Sequence, residues 1–137
     1  MNELEKINET IFESIKHIDE DGNEYWYARE LQKVLEYNKW ENFEKVINKA
    51  KLSCLTSNYR LQDHFPDVRK MVDIGSNTLR NIVDYKLSRY ACYLIAQNGD
   101  SRKKVIGLAQ TYFTLQTRKW EYNYLTEDEK NSIKKFN

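Results

Sequence analysis

Apolar and polar positions follow two periods along this chain, and one segment shows almost no alternation. From Leu87 to Asp100 it reads LSRYACYLIAQNGD, in which Tyr90, Ala91, Cys92, Tyr93, Leu94, Ile95 and Ala96 leave little of a helical circumference polar. A surface helix carries one apolar stripe, whereas a helix apolar nearly all round is buried. The run therefore predicts the central helix of the domain. Ser88 is placed to cap its start, and Gly99 falls where a left-handed residue closes a helix. Beyond it, Val105, Ile106, Ala109, Tyr112, Phe113, Gln116 and Trp120 mark one side of a long helix, with Asp100 as its expected cap.

Upstream, FESIKHIDEDGNEYWY (12–27) sets two β-prone runs about Asp21-Gly22, a strong hairpin signal. Ala28, Leu31, Val34 and Leu35 then recur at helical spacing. Tyr37-Asn38 breaks that helix, and Asn38 is the expected cap of a second one with Trp40, Phe43, Val46, Ile47, Ala50 and Cys54 on one side. Residues 55–70 show no period and hold the only proline, Pro66. MVDI (71–74) and NIVDYKL (81–87) bracket Gly75-Ser76-Asn77 and predict a second hairpin or arm. In the latter run Val83, Tyr85 and Leu87 point one way, and Ile82, Asp84 and Lys86 form the polar outer face of a half-buried strand. Thr126 and Glu129 form a capping box for a last helix running to Phe136. No internal repeat or low-complexity linker interrupts the pattern. The expectation is α+β: a single domain over 12–121, with two β-hairpins and four to five helices around a buried central helix. Residues 1–11 are a polar lead-in and 122–137 a short C-terminal helix.

Composition agrees with that picture. The chain has 137 residues, enough for one domain with a real core, and is 31% charged and 13% aromatic with 4 glycines and 1 proline. No apolar stretch approaches the roughly 18–20 residues that span a bilayer, and the acidic N-terminus is no signal peptide. A cytoplasmic location follows, and no membrane partner. Cys54 and Cys92 lie in apolar helical patterns and read as core thiols of a reducing compartment. The formal net charge of +1 hides an asymmetry. Residues 1–30 carry 3 basic and 9 acidic side chains, while residues 86–119 carry 7 basic and 1 acidic. The basic half faces phosphate, an acidic partner, or the chain's own N-terminus.

Catalytic and metal chemistry is thin. His17 and His64 have no cysteine near them, so no zinc ligand set forms. No Gly-rich phosphate loop, G-x-S-x-G or H-E-x-x-H occurs, and no cofactor or small-molecule substrate is expected. A minor alternative is a Mg-dependent nuclease: Asp67 after Pro66, with Asp84 and Lys86 on one strand face, matches a loose two-carboxylate and lysine signature. Nucleic-acid binding has more to offer. ARELQKVLEY followed by NKWENFEKVINKAK has the layout of a helix-turn-helix, and Lys39, Asn42, Lys45 and Lys49 suit phosphate and base-edge contacts, though Glu41 and Glu44 share that helix. Arg102, Lys103 and Lys104 are expected in the first turn of a helix, where backbone N–H groups and positive charge together hold a phosphate. The competing reading of both groups is a solvated helix face, and Arg118 and Lys119 fit simple dipole complementation. Trp40, Tyr93, Tyr112 and Trp120 fall on apolar stripes and read as core, which leaves Tyr59, beside Arg60, as the best exposed aromatic.

LSRYACYLIAQNGD, followed by KKVIGLAQTYFTLQTRK, resembles the DNA-damage-inducible protein D family, which is related to the Bro-N domain of phage and viral antirepressor-type proteins. FESIKHIDEDGNEYWYARELQKVLEY and MVDIGSN extend the resemblance over roughly residues 12–120. It implies a cytoplasmic bacterial or mobile-element protein of the DNA-damage (SOS) response or of repressor control. It implies a non-enzymatic regulatory domain with no catalytic residues, whose partners are DNA or a DNA-bound repressor or repair protein; a homo-oligomer is compatible with it. The alternative is an antirepressor-type protein-interaction module without DNA contact, using the acidic hairpin or the end of the last helix. Members of that family usually continue past Thr126-Glu127-Asp128-Glu129-Lys130 with more helical sequence, so residues 122–137 read as the start of such a region.

Overall fold

The computed structural model describes residues 11–123 and the pair 128–129, with side chains as far as Thr114 and at that pair. The expected lead-in over 1–10, the side chains of Gln116, Arg118, Lys119 and Trp120, and the helix from Thr126 to Phe136 (its pair 128–129 excepted, which is helical) lie outside the described residues. A helical turn at 11–14 leads into β1 (Lys16–Ile18) and β2 (Glu24–Tyr27). Then come α1 (Ala28–Val34), α2 (Trp40–Thr56), the short α3 (Leu61–His64), β3 (Asp67–Asp73), β4 (Leu79–Leu87), α4 (Arg89–Gln97) and α5 (Lys104–Asn123). The two hairpins join into one antiparallel sheet of order β1-β2-β4-β3, the join being Trp26 against Leu87 and Tyr27 against Lys86. This is the α+β architecture the sequence pattern predicts.

The first hairpin turns where Asp21-Gly22 predicts. Asp19 Oδ1 accepts the N–H groups of Asp21 at 2.9 Å and Asn23 at 2.8 Å, and Gly22 takes the left-handed φ of 83° that the turn needs. Phe12 belongs to the helical turn before β1, where it is fully buried and its carbonyl accepts Trp26 Nε1–H at 3.0 Å. Trp26, Phe113, Phe12, Leu87 and Ile95 are all fully buried, each removing an apolar side chain from water for about 1.5–3 kcal/mol. α4 is central as expected: Ala91, Cys92, Ile95 and Ala96 are 1% exposed or less, and it packs on α5, α2 and β2. Ser88 caps it, its Oγ accepting Ala91 N–H at 3.0 Å. Tyr90 and Tyr93 occupy its one half-buried side.

Local details depart from the sequence expectations for identifiable reasons. Asn98, not a left-handed Gly99, closes α4. Gly99 is needed for space, because a Cβ there would stand 3.0 Å from Ile106 Cγ2. Asp100 caps no helix: its Oδ1 accepts Arg102 N–H at 3.0 Å in a turn, and α5 begins at Lys104. Lys39, one residue beyond Asn38, stands at the start of α2, with no side-chain cap. The patternless stretch 55–70 contains the last turn of α2, then α3 and the first half of β3. β3 escapes notice because Lys70 stands among the half-buried positions Val68 and Val72, where an apolar residue would have completed the alternation.

Candidate nucleic-acid interface

α2 is rooted by Phe43, Ile47, Ala50 and Cys54, all fully buried, which leaves its other sides to solvent. Lys39, Asn42, Lys45 and Lys49 are exposed, the last three spaced along one flank. Of the two acidic residues on α2, Glu41 is exposed and Glu44 accepts Trp40 Nε1–H at 3.2 Å. The α1–α2 turn is tied down locally, Gln32 Nε2 donating to Tyr37 O at 3.0 Å and Tyr37 N–H to Gln32 O at 3.1 Å.

The second predicted group meets this turn from 67 residues away. Lys103 Nζ donates to Glu36 O at 3.3 Å and lies 4.2 Å above the Tyr37 ring. Lys103 thus stands at the α1–α2 turn, and Lys39 is two residues past the ring that Lys103 covers. The three residues are not equivalent, and two are displaced from the expected first helical turn. Arg102 and Lys103 precede α5, and only Lys104 belongs to it. Arg102 forks onto Asp100 with both distances 3.0 Å, an exposed pair that raises the pKa of Arg102 and lowers that of Asp100. Lys103 braces two elements, and Lys104 is exposed.

The nuclease set is not brought together. Asp67 is registered against Tyr85 and Val68 against Asp84, and directly opposed residues share a sheet face, so Asp67 and Asp84 lie on opposite faces. Asp84 is also not on a solvated face. It is fully buried, with Oδ1 accepting Arg29 N–H at 2.9 Å and Tyr85 N–H at 2.8 Å, and Oδ2 2.8 Å from Lys70 Nζ. It thereby caps α1, whose own N-cap residue Tyr27 supplies no side-chain bond. Lys86 instead lies 5.1 Å from the centre of the Tyr25 ring. Among the described residues, no three His, Cys, Asp or Glu side chains stand together as metal ligands.

Two features had no signal in local sequence. Arg89 forks onto Glu24 at 2.5 and 2.6 Å; burial opposes its charge, but these bonds raise its pKa all the same. Tyr112 hydroxyl donates to Glu13, and burial together with that bond pushes its pKa well up. A cleft of about 510 Å³ opens beside this network, walled by Tyr25, Tyr59 and Tyr90. Tyr59 is indeed exposed, at 49%, and packs against Tyr90 with ring centres 4.7 Å apart. His64 Nδ1 stands 2.6 Å from Ser88 Oγ in the same cleft. Burial lowers the pKa of His64, with Asp63 partly opposing. Lys86 and Arg89 line the cleft, but so do Asp19, Glu24 and Asp63, so its charge does not favour phosphate. Cys54 and Cys92 are buried free thiols with raised pKa, which suits packing and not nucleophilic chemistry.

This arrangement defines a class. The chain belongs to the BRO family, whose N-terminal domain it matches over residues 14–113. It is similar to DNA damage-inducible protein D of Escherichia coli (strain K12), at 45% identity over 92% of this chain and 50% of that protein. The chain thus spans about half the length of that curated relative. No solved structure matches it. Among the described residues, no helix is long and apolar enough to cross a membrane.

Proposed function

We propose that this domain is a non-enzymatic regulatory module of the DNA-damage response or of mobile-element repressor control, acting by contact with DNA or with a protein on DNA. The observation that carries the reading is the docking of Lys103 on the α1–α2 turn, two residues before Lys39. Lys45 and Lys49 continue from Lys39 along α2 for roughly 15 Å at 1.5 Å per residue. Exposed lysines on packed elements neutralise backbone phosphates, and Asn42 is suited to a base edge. The name of the relative, which refers to DNA damage, supports the same setting.

Fluorescence anisotropy with labelled single- and double-stranded DNA at two salt concentrations tests it. Binding is expected to weaken steeply with salt, the log–log slope on duplex being about −0.9 per neutralised phosphate. The combined variant Lys39→Glu, Lys45→Glu, Lys104→Glu is expected to lose at least tenfold in affinity and to flatten that slope. No binding at about 50 mM salt excludes the DNA contact. The partner-protein reading then stands, favoured by the exposed aromatic cleft with its mixed charge.

A further inference from the structure

Among the described residues, β3 is one of the two edge strands of the sheet, β1 being the other. The phase of its ladder with β4 follows from its two ends: Pro66 O accepts Lys86 N–H at 3.1 Å, and Ile74 N–H donates to Thr78 O at 3.0 Å. Hydrogen-bonded and non-bonded residues alternate along an antiparallel pair. With Val68 against Asp84, Lys70 against Ile82 and Val72 against Arg80, the even-numbered residues of β3 bond inward to β4. The N–H and C=O groups of Arg69, Met71 and Asp73 therefore point to the open edge. The hairpin beyond them stands in solvent from Asp73 to Asn81, and Met71, Ile74 and Leu79 are 57%, 58% and 59% exposed. An open edge carrying exposed apolar side chains is a template for another strand.

A pairing strand can bond only through the outward groups. Two copies of β3 related by a two-fold axis must therefore set odd residues against odd ones. Centring on Val68 pairs only Asp67 to Arg69 within the strand, and centring on Arg69 opposes that arginine to its own copy, like charge to like. Three registers near the strand centre remain. Centring on Lys70 opposes Asp67 to Asp73, like charge to like. Centring on Val72 opposes Met71 to Asp73 and leaves Arg69 facing Gly75. Centring on Met71 opposes Arg69 to Asp73 twice, with Met71 facing its own copy between the two pairs, and sets Val68 against Ile74 on the other face. Opposite charges directly across a strand pair stabilise it and like charges destabilise it. Asp73 Oδ1 accepts Gly75 N–H at 2.8 Å, which leaves Oδ2 for the arginine. We propose that this edge pairs antiparallel with the same edge of a second copy, centred on Met71, so that two sheets become one. Such a strand pair buries less than the roughly 1,200 Å² at the lower end of stable interfaces, so the dimer forms in proportion to concentration.

The test needs no DNA and is independent of the function proposed above. Sedimentation velocity over a concentration series is expected to show the full chain passing from monomer to dimer. Arg69→Asp alone and Asp73→Arg alone are expected to stay monomeric, each setting like charges across the axis. An equimolar mixture of the two is expected to dimerise again, since all four charges are then complementary. Both positions are exposed, so the fold is retained, and circular dichroism checks it. Register is read by mild oxidation of variants carrying one added cysteine, the native Cys54 and Cys92 being buried, because directly opposed hydrogen-bonded residues lie about 5.5 Å apart at Cα, within the disulfide range. Met71→Cys is expected to give a reducible dimer, and Lys70→Cys and Val72→Cys are not. A chain monomeric throughout, single-charge variants that dimerise like the parent, a mixture that stays monomeric, or cross-linking strongest at 70 or 72 overturns the proposal.

Discussion

Asp84 stands on a strand whose alternation is plain, on the side opposite Val83, Tyr85 and Leu87, and it is nevertheless fully buried. α1 packs against β4, and its Arg29 N–H reaches Asp84 from 55 residues earlier in the chain. Its carboxylate satisfies Arg29 N–H and Tyr85 N–H and faces the half-buried ammonium of Lys70, which also lies 3.6 Å above the Tyr27 ring. Removing the carboxylate leaves those two N–H groups without their acceptor, at a cost of about 1–3 kcal/mol each. Asp84→Ala is expected to lower the unfolding free energy in urea by about 3 kcal/mol, and Asp84→Asn by less, because an amide oxygen still accepts from both backbone groups. Equal losses for the two variants would mean that the charge on Asp84, and not its capping bonds, accounts for the effect. The aspartate looked solvated because alternation reports which face a residue takes and says nothing of what covers that face. Gly99 teaches the same at smaller scale: its place at the helix end was evident, but what favours a glycine is Ile106, whose Cγ2 lies 3.0 Å from where a β-carbon would stand.

At the scale of elements, α4 was the most legible piece, since a run apolar on nearly every side has no stable place except between other elements. Its cap couples it to α3: Ser88 Oγ takes Ala91 N–H and meets His64 Nδ1. Burial lowers the folded pKa of His64 below its ordinary 6.5. In the window between the two values the unfolded chain binds more protons, so the contribution of His64 is complete above about 6.5 and is lost as pH falls. The melting temperature is expected to drop as pH falls through and below 6.5, with a shallower slope in His64→Gln; identical slopes would refute the assignment. α2 was equally legible through its one-sided stripe, and β3 was not, because a lysine engaged with a buried aspartate reads as polar. The arm formed by β3 and β4 was expected as a pair of strands. That it leaves the body of the protein exposed depends on where β2 and α1 stop covering β4.

For the molecule as a whole, stability is distributed unevenly. β4 runs from Leu79, 59% exposed, to Leu87, fully buried, so a single strand passes from solvent to core. Amides that open without exposing core exchange fastest. At dilution, hydrogen exchange is expected to be rapid from Met71 to Asn81 and slow at Tyr85–Leu87 and through α4; uniform protection along β4 would contradict this. The charge asymmetry also resolves at this scale. Glu24 of the acidic segment is consumed by Arg89 of the basic one, with Lys16 3.8 Å away. Among the described residues, 102–104 make no ion pair with that segment: Arg102 pairs with Asp100, and Lys103 meets Glu36 and Tyr37.

Hydrophobic period and local turn residues determined the α+β class, the central helix, the one-sided α2 and the Asp-Gly hairpin, because each depends on residues within a few positions of one another. The tertiary structure alone decided that Asp67 and Asp84 part to opposite faces, that Asp84 caps a distant helix, and that Lys103 meets the α1–α2 turn. Those outcomes depend on register and on contacts between residues tens of positions apart. Local spacing carries no information about such contacts until the chain has closed on itself.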